Sequence, residues 1–476
     1  MILYYFIIAA LLSIVAVFVK LRRIAKVVII TFSVVQAAFS VYAFMHIGQT
    51  ELGYFTYDAL GVLFLLVLSL IFPASVYHGF RYFKNRITRR FFYYHAALIG
   101  LITAITGAYL ANEATVVWIL VEATTLCASV LIYHEKTKYS LEATWKYIFL
   151  CSVGIAFAYM GILFLSISMH HTGSIDLSFV AIAAAASLAD PIYLKIAFVF
   201  IFIGYSTKME IFPMHTVGID ANSVAPSPIG ALISSAMVNM GFVIVYRMYA
   251  ALSGTPIFSW MNHILTIAGV LSVLVAAGYM LKAKHNKRML AYSSLEKAGL
   301  VAIALGVGGY GYYAAILLLV LHSFAKSAMF FQMGQLFRVL NTMKLDFSGH
   351  YMKFHPAGAL VLIVGMFCLL AIPPSGLFIT EYMMLKAMVF GNHWVVLVFI
   401  VVLLSVVIYA MSVRIMHICF SQPRETTGVL PHEKVHPAET ITQFLFFAIV
   451  IAMCFYRPPF VDELIVQSVS LIAQMP

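Results

Sequence analysis

Charge is scarce in this sequence. Asp, Glu, Lys and Arg make up 10% of its 476 residues, against 63% hydrophobic ones. That ratio excludes a solvated globular domain and a disordered chain alike. Cysteine is scarce as well: Cys127, Cys151, Cys368, Cys419 and Cys454 stand singly in apolar runs. With no C-x-x-C spacing there is no iron–sulfur set and no dithiol motif, and the five read as small core hydrophobes. A nucleotide fingerprint is also missing. Gly306–Gly311 (GVGGYG) fits G-x-G-x-x-G in letters, but it joins two apolar segments and follows no strand. His432 and His436 lie i, i+4 beside Glu433, a spacing that suits a metal but reads first as a solvated loop. The apolar N-terminus has no basic n-region and no small-residue cleavage site, so it is expected to be a helix and not a removed signal peptide.

What the chain has in quantity is long apolar stretches. They follow one another from Ile2 to Tyr456 with short polar breaks; at roughly 20 residues per crossing this predicts an all-α polytopic membrane protein of about 14 helices. The formal charge of +11 points to membrane topology and not to nucleic acid. Basic residues fall in alternate loops: Lys20–Lys26, Arg81–Arg90, Lys136–Lys138, Lys282–Arg288 and Lys344–Lys353. The loops between them hold almost no Lys or Arg, which predicts the basic loops inside and both termini outside. Val461–Pro476 is then expected to be a short outer tail, with no long lateral helix after the last span.

Ionisable groups inside the spans carry the functional signal, because a charge in hydrocarbon is kept only where the bundle uses it. Lys208 sits within Ala197–Pro213, where Gly204, Tyr205 and Ser206 precede it, Pro213 follows, and Pro226 and Pro228 lie ahead of the next helix. A second span is interrupted by Ile372–Gly376 (IPPSG) shortly before Glu381. Broken helices free backbone groups that the bilayer tolerates only beside protein or water, and a pair of them points to an ion site; two ordinary proline kinks are the plain alternative. Glu122 lies in Val116–Val130, with an ion pair to Lys146 as its structural alternative. His322 and Lys326 are i, i+4 in Ile316–Met329 and share a helix face. Glu296 and Lys297 open another span, either as part of the path or as a surface pair.

Glu142–Ser152, Asp190–Asn222, Ala225–Pro228, Lys287–Gly299, His322–Met329 and Pro373–Glu381 resemble the antiporter-like, proton-conducting subunits shared by respiratory complex I, Mrp-type antiporters and membrane-bound hydrogenases. The likeness runs from about Phe91 to Pro423 and is greatest to the component F type of hydrogenase-4 complexes. It implies three N-terminal helices in 1–90, inverted five-helix repeats in 91–250 and 258–420, each with a broken helix, and a last helix with its tail in 436–476. It also implies roles: Glu122 as the fifth-helix glutamate, Lys208 as the lysine at the seventh-helix break, His322 and Lys326 as the eleventh-helix pair, and Glu381 as the acidic twelfth-helix residue. In the implied mechanism the distance between Lys208 and Glu122 biases protonation, and water-linked transfer through His322 and Lys326 reaches Glu381. The chain departs from the pattern at Asn239, where many relatives have lysine, and at Pro213–Pro226 (PMHTVGIDANSVAP), which loses the usual Trp, second His and Glu. Lys297 replaces a usual histidine, and Glu210 is an added acid. Lys146, Glu210, Asn239, Glu296 and Lys297 therefore make up a secondary path.

Three functions fit this sequence. The first is a proton-translocating subunit of a redox-driven assembly of the membrane-bound hydrogenase or formate hydrogenlyase kind. The others are an Mrp-type cation/proton antiporter subunit and the membrane partner of a non-redox uptake complex. The resemblance implies further integral membrane subunits, a peripheral redox module and a prokaryotic cytoplasmic membrane. No cofactor is expected in this chain; iron–sulfur clusters with nickel–iron or flavin are expected in its partners.

Overall fold

The computed structural model describes residues 1–19, 21–83, 90–171, 173, 176–422 and 435–473. His432 lies outside them. His436 acts as a helix cap, its Nδ1 accepting from the Ala438 amide at 3.2 Å, in a capping box with Glu439.

The described chain is all-α apart from a short hairpin that pairs Thr50–Glu51 with Phe55–Thr56. In chain order the helices begin with α1 (Ile2–Phe18), α2 (Arg22–Met45), α3 (Ala59–Tyr82), α4 (Arg90–Leu110) and α5 (Ala114–Ile132). Next come α6 (Lys138–His171), α7 (Phe179–Ala185), α8 (Pro191–Met209), α9 (Thr216–Val224) and α10 (Ser227–Leu232). A π turn, Ile233–Met237, leads into α11 (Val238–Ala251), followed by α12 (Phe258–Lys282), α13 (Asn286–Val307), α14 (Tyr310–Leu340) and α15 (Tyr351–Phe354). The last are α16 (Pro356–Leu369), α17 (Gly376–Phe390), α18 (Trp394–Phe420), α19 (Pro437–Phe455) and α20 (Pro459–Ala473). Among the described residues, twelve stretches are long and apolar enough to cross a membrane. Proline and the short turn Leu370–Ser375 divide what would be another span into α16 and α17.

The chain forms two compact units, the first of residues 1–209, 236–264 and 460–476 and the second of 210–235 and 265–459. The expected C-terminal tail is instead a helix of the first unit. Its apolar positions Val461, Leu464 and Ile465, with Ser468, recur at helical spacing and are buried, and the Tyr246 hydroxyl donates to the Ser468 carbonyl at 2.8 Å.

Arg247 holds the first unit at one end. Its guanidinium pairs with Asp58, the N-cap of α3, at 2.6 and 3.2 Å. It also donates to the Ala111 carbonyl at 2.9 Å and to that of Tyr109, so one cation satisfies the C-terminal carbonyls of α4 and neutralises a cap carboxylate. In the second unit Arg338 of α14 does comparable work on Glu439, in the first turn of α19. Removing one member of such a pair strands the other. Arg247→Ala is expected to lower stability by about 3 kcal/mol, seen as a fall in the midpoint of thermal unfolding in detergent, and Arg247→Lys to restore only part because it lacks the planar fork.

Candidate functional site

The first unit builds its site on a seam of small residues. Tyr147, Cys151, Gly154, Ala158 and Gly161 follow one another on α6 at helical spacing, as do Ala197, Ile201, Gly204 and Lys208 on α8. Glycine is required here: a Cβ on Gly154 would stand 2.5 Å from Thr207 Cγ2, and one on Gly204 would stand 2.6 Å from the Gly154 carbonyl oxygen. The backbones touch as in small-x-x-x-small membrane pairs. The close approach carries the α6 stripe, one turn further along, onto the last turn of α8. There the Lys208 ammonium, 2% exposed, donates to Thr125 Oγ1 at 2.8 Å and to the Tyr147 hydroxyl at 3.2 Å. It also lies 3.5 Å from Cys151 Sγ and over the Tyr147 ring. α8 can end there because Gly241 of α11 leaves room for its last turn; a Cβ at 241 would meet the Met209 nitrogen at 2.5 Å.

Lys208 is thus solvated by neutral groups, with no ion pair closed on Glu122. Glu122 is one turn before Thr125 on α5 and half-buried, and its Oε2 has no hydrogen-bond partner among the described residues. Lys146 is half exposed and bonds Glu142 one turn earlier on α6. Asn239 is buried on α11 and hydrogen-bonds Tyr109.

The second unit uses the opposite device. Lys297, 2% exposed, donates to Glu296 Oε1 at 2.9 Å and to Glu381. The surface-pair alternative for Glu296 and Lys297 does not hold, because α13 packs its polar face inward. Two carboxylates around one ammonium leave a net charge of −1 when all three are ionised. The triad lines a cavity of about 200 Å³ with Leu370, Phe378 and Tyr382, and Glu381 is its most exposed member, at 13%. The break before α17 positions Glu381: Ser375 caps the helix, its Oγ accepting from the Leu377 amide at 3.2 Å.

On α14 the Lys326 ammonium donates to the Leu290 carbonyl at 2.7 Å and to Ser293 Oγ, both on α13. His322, one turn earlier, has both ring nitrogens buried and without a hydrogen-bond partner among the described residues. Glu210 follows the end of α8 in the left-handed region, at φ 57°, and accepts from Asn222 Nδ2 at 3.0 Å. Gly218 makes room for it, since a Cβ there would stand 2.1 Å from the Glu210 carboxyl carbon. Glu210, Glu296 and Lys297 all act electrostatically on Lys326.

Of the residues singled out from sequence, the second unit brings Glu296, Lys297 and Glu381 into direct contact and sets Lys326, His322 and Glu210 in the same unit. The first unit sets Lys208 near the helix of Glu122, and Lys146 points away. Thr125, Tyr147 and Cys151 were missed as partners of Lys208. The signal was present in the α6 stripe of small residues at spacings that end on Tyr147.

The fold and these sites define an integral membrane protein with charged stations buried in broken helices. Residues 111–408 match the transmembrane family described as NADH:quinone oxidoreductase/Mrp antiporter, and the chain belongs to that family. It is 30% identical over 423 residues to a hydrogenase-4 component F homolog of Methylacidiphilum infernorum, covering 86% of this chain and 87% of that one. Its fold is that of a chain in the archaeal membrane-bound sulfane sulfur reductase, with TM-score 0.87, 22% identity and 99% and 96% of the two chains covered. A chain of the Mrp complex from Dietzia sp. DQ12-45-1b matches with TM-score 0.84, 15% identity and 100% and 96% covered.

Two substitutions probe the sites. Lys297→Met leaves two buried carboxylates facing each other and is expected to cost about 3 kcal/mol in thermal unfolding, most of it recovered when Glu381→Gln is added. Gly154→Val forces α6 from α8 and is expected to move Lys208 off Tyr147, read as a changed environment of the tyrosine ring in ¹³C-labelled spectra.

Proposed function

We propose that this chain is the antiporter-like, proton-translocating membrane subunit of a redox-driven assembly of the hydrogenase type. The observation that carries the reading is the buried Lys208 ammonium held by Thr125, Tyr147 and Cys151 and not by a counter-ion. Neutral partners leave the ammonium free to exchange that hold for Glu122. In the second unit Lys326, His322 and the Lys297 triad form a further set of exchangeable stations, ending at the partly exposed Glu381. The proton is favoured over Na⁺ as the ion, because each station is centred on an ammonium that repels a metal cation. The interrupted helices α8 and α16–α17 are read as counterparts in inverted repeats, 91–250 and 258–420.

Moving one charge against the field costs about 2.3 kcal/mol per 100 mV, so an outside reaction supplies the drive. That source is a peripheral module carrying iron–sulfur clusters with nickel–iron or flavin, joined to this chain through other membrane subunits, in line with the hydrogenase-4 relative. The basic loops support a cytoplasmic membrane with both termini on the outer side.

The test is proton uptake by inverted vesicles bearing the native assembly, driven by its electron donor. Lys208→Met is expected to lower uptake on the order of 100-fold while the subunits still co-purify; uptake at the wild-type rate overturns the proposal. Uptake driven by a cation gradient with no electron donor would identify an Mrp-type exchanger instead.

A further inference from the structure

α14 and α19 run antiparallel in the second unit, and two contacts fix their register. Arg338 pairs with Glu439, and the Phe331 and Phe446 ring centroids lie 6.3 Å apart. Phe324, Phe331, Gln335 and Arg338 share one stripe of α14, and Glu439, Gln443 and Phe446 share one of α19. The register therefore sets Gln335 and Gln443 at one level between those two contacts. Both glutamines are fully buried, and none of their four amide atoms has a hydrogen-bond partner among the described residues. Neither has the hydroxyl of Thr440, one turn before Gln443 and 5% exposed.

Both ends of this level are closed. On one side Phe446 packs on Phe324, at 5.5 Å, and on Phe331. α16 seals that end, since a Cβ on Gly365 would stand 2.2 Å from Met329 Sδ and 2.7 Å from the Phe447 ring. On the other side is the Arg338–Glu439 pair.

A buried polar group left without a partner is destabilising, and five together are a heavy load on the small margin that keeps a domain folded. An occupant must satisfy them. The site offers two amide donors and three oxygen acceptors with no net charge. A bare cation would meet N–H groups and the nearby guanidinium; an anion would meet three acceptor oxygens. Water both donates and accepts, and it suits this set. We propose that α14 and α19 enclose a water-binding chamber held by Gln335, Gln443 and Thr440, gated by Arg338–Glu439 and stopped by Phe446. Gln335 is about half a turn around α14 from Lys326, so the chamber wets the back of the helix that carries His322 and Lys326 and is separate from the Lys297–Glu381 cavity.

The test uses the native assembly with Gln443→Cys, alkylated in vesicles by a small water-soluble thiol reagent and followed at residue 443 by peptide mass spectrometry. Slow labelling is expected, accelerated several-fold by Glu439→Gln and suppressed by Gln335→Leu, with buried Cys151 unlabelled throughout as the control for unfolding. Labelling at 443 that neither substitution changes overturns the proposal. A map at a resolution that resolves ordered water decides it independently of any variant: water bridging Gln335 and Gln443 supports the chamber, and a direct amide–amide bond with no water overturns it.

Discussion

An ammonium or carboxylate taken out of water must be solvated by the protein that buries it, and every distinctive feature of this chain follows from that demand. The two units meet it differently. In the first, Lys208 is surrounded by a hydroxyl, a phenol and a thiol, which stabilise the cation by dipoles and leave it replaceable. In the second, Lys297 is locked between Glu296 and Glu381, so the charge is balanced by charge.

Helix interruptions make these arrangements reachable. A continuous α8 would keep the carbonyls of its last turn paired within the helix. Ending it at Met209, with Glu210 in a left-handed conformation before Pro213, frees the backbone and turns the next carboxylate toward Asn222 and Gly218. The turn between α16 and α17 does the same for Glu381, whose helix restarts under a serine cap. At the first break the Phe212 amide donates to Ser272 Oγ at 3.0 Å, and at the second Ser375 Oγ donates to the Cys368 carbonyl at 3.2 Å, so side chains satisfy the irregular backbone.

The departures from the family pattern acquire a physical sense. Asn239 is part of a hydrogen-bonded contact with Tyr109, a structural partner where many relatives have a cation. Lys297 centres the only ion triad among the described residues, and Glu210 is a buried carboxyl that accepts from Asn222. The polar interior of the second unit is built on paired lysine and glutamate.

The membrane class, the broken helices and the identity of Lys208, His322, Lys326 and Glu381 as charges to explain were legible from composition and local pattern, because hydropathy and proline chemistry act over a few residues. The helix Pro459–Ala473 is also visible in the 3–4 spacing of Val461, Leu464, Ile465 and Ser468, although the alternation of basic loops requires no further helix there. Partner choice was not legible. Lys208 meets Tyr147 across 61 positions of chain, and Lys297 meets Glu381 across 84. Which side chains solvate a buried charge is decided by which helices touch and in what register, and that is set by the glycine seam and by packing across distant segments. The sequence by itself therefore determined that these charges must be buried and satisfied, and only the tertiary structure decided by what.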